Sequence, residues 1–578
     1  MSNSASHAKP VARSGENSAT RREFLARIPG GAGVALASSA VSFRSSAKAG
    51  EGRDDDPGSV GSERALASYE VREQAARSET EVPIPKQITN GDEQRYQSQN
   101  YIGNFSKGLK HNLFGEVIPN AYRDLLNALD EGTAAALEKK VMLGGSNKLV
   151  NCLAGLAFDL EGTDSHQLKV PPFPKLASQD LADQAVELYW MALCRDVNFA
   201  QYETHSTAQD AAAELSSLKE FKGPRSNGSV TAQTLFRGFT ADDLIGPYVS
   251  QFLLKKFSYG PYAMNGLISV ALPGDDYLTT EAKWLANQSG QPPSEVNQID
   301  QKPRAIRNGR DLATYVHTDP NAGLFMSFYN AGIFLFENGA PLNPGNPYRA
   351  AGLGGYTKQS PFGTFGVPFF LGLIGEAATR AFKAAWYAKW FVHRALRPDQ
   401  YGGLVHWTKT RQKKGGYPLH SDILNSTALA NVFANKGTYF LPQAYPEAGP
   451  QHPSYPSGHA TMAGACATIL KAAFDGTTTL DNLVDPTIVV ASEDGLSLKD
   501  THLDPGDFTV NGEINKLASN IGQGRDFAGI HWRSDAEWGM RLGEAAAISL
   551  LRDQNNNYPG EKFEGFTITK FDGITVTV

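Results

Sequence analysis

Apolar residues recur at three- and four-residue intervals in residues 121–137, 178–194, 242–256, 309–336, 375–394, 460–473 and 514–552. That is the spacing of one helix face, so each stretch is expected to be an α-helix with a buried side. Between them lie connections rich in Pro, Gly and Asn, notably 339–366 and 485–512, which read as long surface loops. Only the end of the chain alternates with the two-residue period of a strand. There Thr567-Ile568-Thr569 and Ile574-Thr575-Val576-Thr577 flank Asp572-Gly573, the mark of a small hairpin. No repeat of fixed period is present. The expected fold is mainly α: two packed helical bundles with long loops and a small C-terminal β-hairpin.

The pattern also divides the chain. Thr20-Arg21-Arg22-Glu23-Phe24-Leu25, a mildly apolar stretch to about Val41, and Ala47-Lys48-Ala49 follow one another as the parts of a twin-arginine export signal over residues 1–49. An exported, periplasmic or extracellular protein is therefore expected. Residues 50–95 are polar and charged with few apolar anchors, and read as a linker or arm. An N-terminal helical region follows over 96–365, then a C-terminal helical region over 366–560, and the hairpin tail over 561–578. No apolar run reaches the roughly 18 to 20 residues that span a bilayer. The longest candidate, 367–374, is too short and contains Gly372.

Composition changes this picture little. Of the 578 residues, 41% are hydrophobic and 20% charged, enough for a substantial core. A formal charge of −6 without long single-sign blocks points to neither nucleic acid nor an anionic membrane. Any anionic substrate must be captured by a local basic pocket. Cys152, Cys194 and Cys466 fit no CxxC metal spacing and read as buried small apolar residues, with room for one disulfide in an oxidising compartment.

Candidate chemistry concentrates in three short stretches. In Trp386-Tyr387-Ala388-Lys389-Trp390-Phe391-Val392-His393-Arg394-Ala395-Leu396-Arg397-Pro398, Lys389 and Arg397 are about two helical turns apart among aromatic residues, with Pro398 expected to end the helix. His452-Pro453-Ser454-Tyr455-Pro456-Ser457-Gly458-His459 opens a helix, whose N-terminal N–H groups form a ready anion site. There Ser457 supplies a hydroxyl, Gly458 an approachable N–H, and His459 a titratable ring. In the third stretch, Gly524 through Asp535, His531 and Asp535 stand four apart, as on one helix face. A carboxylate holding Nδ1–H leaves Nε2 available as ligand or nucleophile. Taken alone, each stretch has an ordinary structural explanation: a solvated basic pair, an N-cap, a helix-face ion pair. Together they assemble cations, a helix N-terminus and two histidines, the inventory for a tetrahedral oxyanion with proton transfer.

The order Lys-x7-Arg-Pro, Pro-Ser-Gly-His, Arg-x5-His-x3-Asp resembles the superfamily shared by type 2 phosphatidic acid phosphatases, bacterial class A acid phosphatases and vanadium haloperoxidases. The resemblance implies a choice between two activities. In a secreted acid phosphatase, His531 would attack phosphorus and His459 would protonate the leaving alcohol. In a haloperoxidase, vanadate would be coordinated through His531 Nε2, with Lys389, Arg397, Ser457, Gly458 N–H and Arg525 on its oxygens. Lys389 would then make hydrogen peroxide more electrophilic, and His459 would manage protons. Halide would leave as hypohalous acid and halogenate small organic acceptors.

Several features favour the second. The seven residues between Lys389 and Arg397 match the bromoperoxidases, where phosphatases and chloroperoxidases more often have one fewer. His452 is similar to a second histidine of the bromoperoxidase pattern, which favours bromide; with Trp386 it is the candidate for tuning halide choice. Arg195-Asp196-Val197-Asn198-Phe199, Gly246-Pro247-Tyr248 and Pro344-Gly345-Asn346-Pro347-Tyr348 also look like algal and cyanobacterial bromoperoxidases, and the chain is far longer than a minimal acid phosphatase. Gly524 departs from the usual Ser before the arginine. Some relatives carry calcium in the loop before the first stretch, but 351–362 holds no acidic residue, which speaks against calcium there. The family also implies a homo-oligomer. A pocket that only stores or senses the anion is the third alternative; the His459 and His452 pair argues against it, because a binding protein needs no general acid.

Overall fold

The computed structural model describes residues 59–318, 325–561 and 563–578, and within them the chain is mainly helical. The proposed signal at 1–49 lies outside these residues. Three of the expected helices are broken at Gly or Pro. The 121–137 stretch becomes α2 (Pro119–Glu131) and α3 (Ala134–Lys140), parted by Gly132 at φ 64°. The 514–552 stretch becomes α13 (Val510–Phe527) and α14 (Arg533–Gln554), parted by a turn with Gly529 at φ 82°. The helix expected over 242–256 is not formed: only a one-turn 3₁₀ segment, Ala241–Leu244, and a short helix, Gln251–Leu254, flank Gly246-Pro247. Proline lacks the N–H, and Gly246 turns at φ 65°, so the apolar spacing there cannot close a continuous helix.

The remaining longer helices are α1 (Ser59–Glu81), α4 (Gln179–Leu193), α5 (Ser206–Ser217), α6 (Glu281–Gln288), α7 (Gly309–Thr318), α8 (Met326–Glu337), α9 (Val367–Tyr387), α10 (Pro398–Lys409), α11 (Thr427–Lys436) and α12 (Gly458–Ala473). Within the polar 50–95 stretch, α1 is a largely exposed helix. Two-stranded antiparallel pairs link β1 (Phe257–Tyr259) to β2 (Tyr262–Met264), β3 (Val489–Ala491) to β4 (Leu498–Asp500), and β5 (Thr567–Thr569) to β6 (Thr575–Thr577). The last is the expected hairpin, with Ile568 opposite Val576.

One apolar core runs through both halves of the described chain, from Tyr96 to Val578. A smaller cluster under α2 is closed by Trp390. At the centre, α12 is buried on nearly every side and packs against α9, α13 and α14. Small residues make this approach close. A Cβ on Gly543 of α14 would stand 1.8 Å from the Thr461 carbonyl, and one on Gly464 of α12 would stand 2.0 Å from the Met540 carbonyl. Neither position tolerates any side chain, and the two backbones therefore lie in contact. That contact brings the N-termini of α12 and α14 together, where Ser457 N–H donates to the Asp535 carbonyl at 3.0 Å. The three cysteines are buried and not bonded to one another. Among the described residues, no helix is long and apolar enough to cross a membrane.

Candidate active site

Lys389 and Arg397 meet, though not on one helix. After Tyr387 the chain widens into a π turn, Ala388–His393, and then reverses at Arg394, whose φ is 41°. Glu93 clamps this strained residue, accepting from Arg394 Nε and Nη2, each at 2.9 Å. Pro398 thus begins α10 rather than ending α9, with Arg397 as its N-cap. Proline is pre-organised for a first helical position, which explains the reversal of its expected role. Lys389 and Arg397 enter the site from two elements, and both are fully buried.

The second stretch wraps around these cations. Lys389 Nζ donates to the carbonyls of Pro453 and Ser454, at 2.6 Å each. Arg397 donates through Nε and Nη2 to the His452 carbonyl, and through Nη2 to His452 Nδ1 at 3.0 Å. Ser457 caps α12 as expected, its Oγ accepting from Ala460 N–H at 3.3 Å. Gly458 is the first helical residue, and a Cβ there would come within 2.9 Å of the Trp386 ring. Trp386 also lies 4.8 Å from the His452 ring and 5.9 Å from Lys389 Nζ, so it roofs His452, Lys389 and the helix N-terminus together. His459, second in α12, is half-buried.

The third stretch supplies the axis. His531 lies in the loop before α14, not on the helix, yet its Nδ1 still reaches Asp535 Oδ2 at 2.7 Å. Its Nε2 faces Arg397 Nη1 at 3.0 Å. Arg397 only donates, so Nε2 carries the lone pair and Nδ1 the proton. Arg525 arrives from the last turn of α13, and its buried Nε has no hydrogen-bond partner among the described residues.

The charged forms of His531, His452, Lys389 and Asp535 are all disfavoured. Burial, then Arg397, Lys389 and Arg525, push the His531 imidazole well below its ordinary range. Burial, Arg397 and Lys389 do the same to His452, while burial, Arg397 and Arg525 lower Lys389. Asp535 is pushed up to about 6 by burial, against the hydrogen bond from Ser454 and the field of Lys389. Three cations converge around one carboxylate, so an added oxyanion would relieve the site rather than burden it.

Residues 370–557 match the family model described as the second helical-bundle domain of VCPO. A vanadium-dependent bromoperoxidase of Corallina pilulifera is 32% identical, the alignment covering 89% of this chain and 98% of that protein. One from Ascophyllum nodosum is 34% identical over 91% of this chain and 95% of that protein. The homohexameric structure of the second vanadate-dependent bromoperoxidase of A. nodosum superposes with a TM-score of 0.81 at 30% identity, covering 96% of this chain and 95% of that one. This chain belongs to the vanadium-dependent bromoperoxidase family.

All the motif residues of this chain, from Trp386 to Asp535, fall inside the 370–557 match. Two further residues complete the site and escaped the sequence reading. Ser454 donates its hydroxyl to Asp535 Oδ2 while its carbonyl holds Lys389, so it joins the first and third stretches. It lies inside the second motif, yet nothing local marks it as more than a turn residue. Tyr445, in the loop before that motif, accepts from Arg525 Nη1 at 2.9 Å. A separate cavity of about 540 Å³ is lined by Pro171, Tyr455, Arg533, Trp538 and Arg541 among others, and by none of the anion-site side chains.

Proposed function

We propose that this chain is a vanadate-dependent haloperoxidase that uses hydrogen peroxide to oxidise halide, bromide by preference, to a hypohalous acid that halogenates small organic acceptors. The observation carrying this reading is His531 with its Nε2 lone pair set among Lys389, Arg397 and Arg525, its Nδ1–H fixed on Asp535. The donor set fits vanadate. Arg525 Nε is buried and unpartnered, the N-terminus of α12 is capped by Ser457, and the excess positive charge needs an anion. His531 Nε2 would hold the anion's metal, with Lys389, Arg397, Arg525, Ser457 and the Gly458 N–H toward its oxygens. Bound vanadate supplies a Lewis acid that activates hydrogen peroxide without changing oxidation state.

The chain's residues do the rest by positioning. Arg397 Nη1–H, now on the Nε2 lone pair, would be free to donate to an oxygen of the anion once that lone pair is used. Lys389, held at depressed basicity beneath Trp386, would donate into the same pocket, where it can polarise hydrogen peroxide. His459 moves protons at the helix N-terminus, and His452 beside Trp386 tunes halide choice. The acid phosphatase alternative uses the same pocket, but relatives matched over about nine-tenths of the chain are bromoperoxidases, and this disfavours it. The homohexameric A. nodosum neighbour supports a homo-oligomer for this chain as well. The Arg21-Arg22 segment supports export through a twin-arginine route. Replacing both arginines by lysine should leave the protein in the cytoplasm on fractionation, and undiminished export would refute it. The activity is tested by adding vanadate, hydrogen peroxide and bromide to the vanadate-free protein and following bromination of a phenol. No bromination, with phosphate released from an aryl phosphate instead, overturns the reading.

A further inference from the structure

Arg525 is the one cation of the site whose side chain is tied at a single end. Its Nη1 donates to the Val316 carbonyl at 3.1 Å and to the Tyr445 hydroxyl at 2.9 Å. Nε, buried, carries no partner among the described residues. Guanidinium is planar, and Nη1 lies on the side opposite the Nε–Nη2 edge, the edge that recognises oxyanions bidentately. Two fixed acceptors on Nη1 therefore set the plane and aim that edge. Tyr445 is itself held firmly: it is 2% exposed, and its ring lies flat on His317, centroids 3.8 Å apart at 11°. His317 in turn meets Glu447 at 3.5 Å, so the stack is anchored from the outer, partly exposed side.

We propose that Tyr445 is a positioning residue that aims Arg525 at the bound oxyanion. It contributes to retention of the anion and not to the halide-oxidising step. The inference rests on the vanadate reading above. Losing one acceptor of a charged donor, with the Val316 carbonyl remaining, should weaken orthovanadate binding about tenfold.

The test is titration of orthovanadate into vanadate-free, full-length wild type and Tyr445→Phe by calorimetry, with ⁵¹V NMR of the bound species. Tyr445→Phe keeps the ring on His317, so the melting temperature of the vanadate-free protein should stay within about 2 °C. The expected results are about a tenfold weaker Kd, a displaced ⁵¹V resonance, and a kcat at saturating vanadate within twofold of wild type. Wild-type affinity in Tyr445→Phe overturns the inference. So does an equal loss of affinity when Arg525 has already been replaced by alanine, because the effect must pass through Arg525. If Tyr445→Phe does not fold, Tyr445→Leu, which removes the same acceptor, takes its place: a tenfold loss of affinity supports the inference, and wild-type affinity overturns it. A wild-type chain that takes up no vanadate fails the reading beneath, whereas wild-type affinity in Tyr445→Phe fails this inference alone.

Discussion

Ser454→Ala should move the pH dependence of vanadate binding without touching any group that contacts the anion. Asp535 Oδ2 accepts from the Ser454 hydroxyl, from His531 Nδ1 at 2.7 Å and from Trp532 N–H at 3.2 Å, while Oδ1 has no hydrogen-bond partner among the described residues. Only the ionised carboxylate holds the Nδ1–H strongly, and that hold keeps the Nε2 lone pair directed into the site. With Asp535 pushed up to about 6, the hold weakens as pH falls through that value, so vanadate affinity should decline on the acid side of about pH 6. A hydrogen bond donated to a carboxylate is worth about 1.5–3 kcal/mol, and roughly 1.4 kcal/mol is one pKa unit. Removing one such donor favours the protonated form and should raise the acid midpoint by about one unit, toward pH 7. Affinity at pH 8, where both proteins are ionised, should differ by less than about threefold. The assay is orthovanadate titration of wild type and variant from pH 5 to 8.5, in which vanadate's own protonation cancels in the difference. Superimposable pH profiles, or a uniform loss at every pH, would refute the assigned role of the Ser454 hydroxyl.

Lys471 of α12 is 2% exposed, its Nζ has no hydrogen-bond partner among the described residues, and it rests 4.0 Å from the Phe571 ring, with burial lowering its pKa to about 8. Burial makes the charged amine costlier in the folded protein than in the unfolded chain, so the cost is full below pH 8 and is relieved as pH rises toward the ordinary value of 10.5. Lys471→Met should stabilise the fold by about 2–3 kcal/mol near pH 7, with the gain shrinking between pH 8 and 10.5 in thermal melts; a less stable variant would contradict this. Gly458→Ala should weaken vanadate binding several-fold with little change in melting temperature, because its Cβ, 2.9 Å from the Trp386 ring, must displace that roof from the helix N-terminus. Unchanged affinity would show that Trp386 can yield freely.

Much of the site was legible because each motif is local, and its meaning lies in residue types at fixed spacing. Ser457 capping α12 and His531 paired with Asp535 both follow from such spacing. The route by which the stretches converge was not legible. Pro398 was expected to end a helix and begins one, because the chain reverses at Arg394 through a clamp by Glu93, far away in sequence. His531 was expected on a helix and stands before it, since Gly529 turns the chain first. The small residues that let α12 and α14 touch, Gly464 and Gly543, read as weak points in a helical pattern until both helices are present. Tyr445 carried no signal, because its partner Arg525 belongs to another element. Residues 242–256 failed for a local reason visible in hindsight: Gly246-Pro247 outweighs apolar spacing.

The proposed hold of His531 Nε2 on vanadate is tested by comparing wild type with His531→Ala: orthovanadate uptake by ⁵¹V NMR, followed by phenol bromination with hydrogen peroxide and bromide. Wild type should take up vanadate tightly and brominate, and His531→Ala should lose both while keeping its melting temperature. A His531→Ala protein that still binds vanadate tightly and brominates at the wild-type rate would contradict it.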